Sequence, residues 1–295
     1  MRRQHDCKYK LILSALAVGL LLFFFKIPAA AQTNAETQRL YEFIDGVIYN
    51  SWGIYYNIGP GETTRDKWPD YSDETLLELN DLFQDALATL ESDFIYNALD
   101  YQGKLTYRIF ERYARQEMLF WDYHLNSYAI DHRRGKHTTL ASNLMNYFTI
   151  STATDATNYI SRLDKISDVF DQVIANCERR KAFGNVPPKI VFAPIYETIN
   201  NLTKGYPLES SSIKKTKSDS LIEASSIGEI ASGSSEDNPI YADFKRKVDA
   251  LNISPVEKNS LMNQIVDILV NDVKPAYDDL VDYLKELELS APSKI

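Results

Sequence analysis

Four histidines, two cysteines and several clustered carboxylates carry the chemistry open to this chain, and their spacing decides what they can do. His132 and His137 flank Gly135 in "HRRGKH". A zinc helix places two histidines on one face, an i, i+4 pair, with a carboxylate nearby. This pair lies five apart across a glycine, so it reads as a solvated basic loop rather than as metal ligands. His124, in "FWDYH", reads as a packed helix-end residue. Cys177 falls on the apolar seam of a helix and reads as a packing residue rather than a nucleophile. The acids Asp278, Asp279, Asp282, Glu286 and Glu288 read as the wet face of the last helix, since acid–base work needs paired carboxylates in a pocket. "GPGETT" imitates a dinucleotide-binding turn, but it follows an aromatic helix where a strand is required. The chain contains no G-x-S-x-G elbow, Walker loop, C-x-x-C or H-E-x-x-H. The residues by themselves therefore assign no catalytic group and no metal ligand.

Composition narrows the partners. The 295 residues are 44% apolar and 25% charged, with 19 Tyr, 13 Phe and 3 Trp, ample for a large core. Net charge is −9. Arg2, Arg3, Lys8, Lys10 and Lys26 against Asp6 make the first 31 residues locally positive, so the remainder is more acidic still. Nucleic-acid affinity comes mostly from neutralising phosphates, and an acidic chain without a basic stripe is excluded from that class.

The start of the chain has the order of a secretory signal. A basic n-region precedes the uncharged run "LILSALAVGLLLFFF", residues 11–25, and "IPAAAQ" offers cleavage after Ala31, leaving Gln32 first. The run is short for a membrane span, which needs about 20 apolar residues. Cleavage of residues 1–31 is expected, with a periplasmic or extracellular product. The alternative is an uncleaved anchor with Lys26 snorkelling at the interface, the one route by which a membrane would be a partner.

The elements that must position these residues are helices throughout; no alternating strand pattern occurs. Thr33 and Glu36 suggest a capping box ahead of an apolar face at Leu40, Phe43, Ile44 and Val47. Ser72 is placed to cap a second helix and a third runs from about Leu105 to His124. After Thr154 the series Tyr159, Leu163, Ile166, Phe170, Val173 and Cys177 keeps one seam, as of a single long helix. Gly184 stands where a left-handed residue ends a helix. Residues 209–238 are Ser-rich and read as a mobile insertion in a helical domain spanning 32–295, or as a boundary. Pro255 suits a first helical turn, and Pro275 should kink or restart the last helix. That helix keeps an apolar face through Leu287, which implies a further surface to cover it.

The stretch from Gly135 to Phe192 resembles the bacterial domain of unknown function 885 family. The signature matches are Gly135, Asp155, Ala156, Tyr159, Ile160, Arg162, Leu163, Gly184, Pro187 and Pro188. "NPIYADFKRKVDAL" and "VKPAYDDLVDYLKE" resemble later segments, and the likeness runs from about Glu36 to Lys285. The resemblance implies an all-α fold like the N-terminal half of a helical zinc-metallopeptidase-like protein. A full-length relative would carry zinc on a His-Glu motif in a second half. None of those residues is present here, so the resemblance implies no cofactor in this chain, a truncation at Ile295, and a missing C-terminal half as partner. A peptide would be substrate only to the complete protein. The alternative is a stand-alone helical binding or scaffold module of the cell envelope. The signature residues are expected to be structural.

Overall fold

The computed structural model describes residues 34–59, 62–209 and 237–293. The signal run, the cleavage point at Ala31 and Gln32, Thr33 and residues 210–236 of the Ser-rich segment lie outside them. The described residues form α1 (Ala35–Tyr56), α2 (Asp73–Asp93), α3 (Tyr101–Asp122), α4 (Lys136–Tyr147), α5 (Ala153–Asp164), α6 (Ile166–Phe183), α7 (Phe192–Thr203), α8 (Pro239–Asp249), α9 (Pro255–Ile268) and α10 (Lys274–Leu289). Extended pairing among them is limited to an isolated bridge between Tyr206 and Asp237. The fold is all-α, as the periodicity predicts.

Residues up to Gly46, together with Ala88–Tyr113, form one compact unit. Leu40, Leu90, Phe94, Leu99 and Phe110 are buried there, and the Phe43 ring lies 5.2 Å from Phe94 and 6.0 Å from Phe110. At the start of its first helix Asn34 accepts from the Thr37 amide at 2.8 Å. Glu36 accepts from the Ile95 amide at 3.2 Å, which ties the helix start to a distant turn.

Val47–Leu87 and the residues from Ala114 onward form the second unit. Its core gathers one face each of α4 to α10 around Tyr159, Phe170, Phe192, Phe244 and Tyr277, all buried. The seam from Tyr159 to Cys177 is buried throughout, but it belongs to two helices. Lys165, at φ −93° and ψ 12°, separates α5 from α6. The apolar spacing continues across the break, so periodicity alone could not reveal it. Gly184 ends α6 with φ +91°. The Gly184 amide donates to Lys181 O and the Asn185 amide to Arg180 O, a Schellman closure.

Pro275 acts as anticipated: Leu269–Val273 widen into a π-helical turn and α10 restarts with the proline in its first turn. The widened turn omits the intrahelical bond that a proline cannot donate. The apolar face of α10 is already covered within this chain. Leu280, Leu284 and Leu287 are buried against α6 and α7, which corrects the expectation that this helix needs a further surface. Asn238, assigned from sequence to the Ser-rich insertion, is fully buried and caps α8 by accepting from the Ile240 amide at 3.0 Å.

Gly135 is required by its surroundings. A Cβ there would lie 2.5 Å from His137 Nδ1 and 2.7 Å from the Asp131 carbonyl oxygen. The carbonyl is backbone and cannot swing aside. Gly135→Ala is expected to cost about 2 to 3 kcal/mol by overpacking; urea unfolding reads it, and a loss below about 0.5 kcal/mol, the range of an ordinary surface change, would refute this packing.

Candidate functional site

The loop between α1 and α2 is an irregular segment held in one shape by polar contacts from α5 and α6. Arg162 lies on the α5 face toward the loop. Its Nε donates to Arg65 O at 2.8 Å and its Nη2 to Thr64 O at 2.8 Å. The Trp68 indole N–H donates back to Arg162 O at 2.6 Å, and the guanidinium lies 4.8 Å from the Trp68 ring centroid. Lys165 Nζ reaches Asp66 O at 3.0 Å. From α6, Gln172 Oε1 accepts from the Tyr71 amide at 2.8 Å and Asn176 donates to Tyr71 O at 2.7 Å.

Asp155 works from the start of α5. Thr152 and Asp155 form a reciprocal capping box, and Asp155 Oδ1 lies 2.8 Å from Arg65 Nη2. Burial opposes its charge. The amide bonds from Ser151 and Thr152 with the Arg65 guanidinium outweigh it and hold the carboxyl below the usual range. Tyr159, about one turn before Arg162 on the same helix, is buried in the core and donates from its hydroxyl to Asp243 at 3.3 Å. Ala156 and Leu163 are core, and Pro187 and Pro188 are buried after the Gly184 turn. The signature thus divides in two: Asp155 and Arg162 hold the loop, and the other residues hold the helices.

Next to this clamped loop lies a cleft of about 780 Å³, within the second unit. One wall is the end of α1, with Tyr49, Asn50, Trp52, Gly53 and Asn57; the other is the start of α2, with Thr75 and Glu78; Glu62 and Asp70 come from the loop. Trp52 and Tyr49 are more than half exposed, and Trp52 stacks on Tyr56 at 5.5 Å and 7°. Asn57 closes α1 at φ +47°, a conformation Asn tolerates better than most residues. The Tyr55 carbonyl accepts from the Asp70 amide at 2.7 Å, joining the two edges. A smaller cavity of about 240 Å³ lies across the loop beside Lys165 and Asp168.

Glu62 pairs with Lys67 at 3.2 Å, and that hydrogen bond holds its carboxyl below the usual range. A carboxyl in that state is a base of little strength and not an acid at neutral pH. The residues singled out for metal or nucleophilic chemistry lie elsewhere. His132 is exposed, whereas His137 is buried at the start of α4 with neither ring nitrogen hydrogen-bonded among the described residues. The solvated loop expected for this pair therefore holds for His132 alone. Burial lowers the His137 pKa to about 4, against a smaller opposing effect of Asp131.

His124 stacks on Trp121 at 4.2 Å and lies 3.9 Å from the buried Asp73 carboxylate. Arg180 lies 3.5 Å from Asp73 and also donates to the carbonyls of Ser127 and His124. This cluster fastens α6 to the chain after α3. Burial pushes the Cys177 thiol up to about 12, as suits a packing residue. Asp278, Asp279, Asp282 and Glu286 are exposed, while Glu288 is half-buried and accepts from the Tyr196 hydroxyl at 3.0 Å.

A zinc ion, implied by the family resemblance for a longer relative, does not fit these residues. No group of three or more His, Cys, Asp and Glu among the described residues is placed to hold a metal. The cleft itself was missed by sequence reasoning: the stretch before "GPGETT" reads only as an aromatic helix, and only the fold brings Asp70 and Glu78 opposite it.

Comparison with known proteins agrees with the fold. The family model described as "Bacterial protein of unknown function (DUF885)" matches residues 50–294. Among solved structures, one described as a "putative lipoprotein" from Colwellia psychrerythraea aligns with 88% of this chain at 16% identity and a TM-score of 0.65. The chain spans 42% of that structure's length. A search of curated proteins finds no match.

Proposed function

Because the chain belongs to the DUF885 family of bacterial proteins, we propose that it is the exported, non-catalytic N-terminal half of a zinc-peptidase-like protein. In this reading it supplies a ligand-facing cleft, and a second half supplies the chemistry. One observation carries the proposal: the family match runs through residues 50–294, yet the chain spans only 42% of a solved structure with the same fold. A fold continued over more than twice the length has room for a catalytic half. Asp155 and Arg162 support the same reading, since both are occupied in shaping the cleft loop.

The proposal predicts that the purified chain, dialysed and then assayed with added zinc, hydrolyses no peptide and retains no stoichiometric metal. Zinc retained near one per chain, and lost on changing His132 or His137, would overturn it.

Export belongs to the same proposal. The basic n-region, short apolar run and Ala-rich site support it, as does the word "lipoprotein" in the description of the structural neighbour. Among the described residues no helix is long and apolar enough to cross a membrane. Mass spectrometry of the membrane-free protein should find Gln32 or a near neighbour at the N-terminus. An intact Met1 in the membrane fraction would favour the anchor at residues 11–25.

A second reading, a stand-alone binding or scaffold module of the cell envelope, is favoured by the burial of Leu280, Leu284 and Leu287. With α10 covered inside this chain, its core needs no second half at that face. A zinc-bearing reading frame downstream separates the two.

A further inference from the structure

We propose that the cleft between α1, the clamped loop and α2 binds a basic, extended peptide segment, taking a lysine or arginine side chain against Trp52 and Glu78. This rests on the reading of the cleft as the ligand-facing surface, and it names the chemistry of the ligand.

The charge of the lining is one-sided. Glu62, Asp70 and Glu78 face the cleft, and no lysine, arginine or histidine is among its lining residues. Glu62 is neutralised by Lys67. Asp70 caps the next turn by accepting from the Ser72 amide at 2.8 Å. Glu78 is exposed and has no ion-pair partner among the described residues. A cation entering the cleft therefore meets one unpaired carboxylate and a second that is only partly engaged.

The aromatic wall selects the same charge. Trp52 exposes 54% of its surface and Tyr49 56%. Large exposed rings at a concave site are a recognised means of holding an ammonium or guanidinium, since the ring face is negative. Trp52 is held flat by its stack on Tyr56, so its face is presented without further loss of side-chain freedom.

The remaining lining suits an amide backbone. Asn50 and Asn57 line the cleft with side-chain amides that make no hydrogen bond among the described residues. Each offers a donor pair and an acceptor, the complement of a peptide N–H and C=O. A nucleotide accounts for the lining less well, since its phosphate would meet the unpaired Glu78 and the partly engaged Asp70 with no cation among the lining residues.

The test uses the full exported chain and two fluorescein-labelled hexapeptides, one carrying Lys and Arg and the other Glu at the same positions. Fluorescence anisotropy should show the basic peptide binding at least about ten-fold tighter, weakening as salt is raised. Trp52→Leu and Glu78→Gln should each weaken it about five-fold, with thermal melting unchanged. Equal binding of the two peptides, or unaltered affinity in both folded variants, would overturn the proposal. Because no turnover is read, the outcome is separable from that of the two-half reading. Binding without any downstream zinc half sinks that reading and keeps this one; no binding beside such a half does the reverse.

Discussion

Lowering the pH from 7 to 4 should remove about 3 kcal/mol of stability through one side chain, His137. The folded ring titrates near 4 because it is buried, while an unfolded histidine titrates at its ordinary 6.5. Between those values the unfolded chain binds the extra proton, so stability falls as pH falls through 6.5 and the loss is nearly complete by 4. Asp131 is the nearby charge that favours protonation, and it does not outweigh burial. Tyr277 donates its hydroxyl to the His137 carbonyl at 2.7 Å and leaves the ring untouched. Carboxylates held below their usual range, such as Asp155 and Glu74, lose their contributions at still lower pH. The upper part of the acid limb therefore belongs to the histidine. Urea unfolding of His137→Phe at pH 7, 5.5 and 4 should show that limb flattened; a variant as acid-sensitive as the parent would rule out the buried neutral ring.

The next largest effect is expected at Arg162. Arg162→Ala removes two charge-assisted bonds to loop carbonyls and the guanidinium over Trp68. Bonds of this kind contribute about 1.5 to 3 kcal/mol each when buried, and partial exposure of this side chain brings the pair to about 3 kcal/mol together. Arg162→Lys should recover less than half, since an ammonium cannot serve both carbonyls and the ring in one plane. Hydrogen exchange should rise at the amides of residues 62–71 while those in α9 and α10 stay protected. Uniform loosening of all helices would mean that Arg162 supports the core generally and not the cleft loop.

What the sequence showed and concealed follows from the range of each interaction. Helix faces were readable because burial repeats every three or four residues, and Ser72, Gly184, Pro255 and Pro275 act within a turn of themselves. The Lys165 break was not readable, because the apolar series continues through it. His137 looked solvated because its neighbours in sequence are charged, yet Tyr277, which contacts its carbonyl, is 140 residues away. The cleft was hidden for the same reason. Arg162 acts on carbonyls 97 and 98 residues earlier, and a carbonyl leaves no mark on the residue type.

As proposed above, this chain would be the cleft-bearing half of a longer protein whose chemistry lies in the other half. Sequencing the DNA past the codon for Ile295 in all three frames tests it most directly. A frame encoding His-Glu, followed within a few residues by another histidine, is the predicted result. If no frame encodes such a motif, the two-half assignment is contradicted and the stand-alone binding module takes its place.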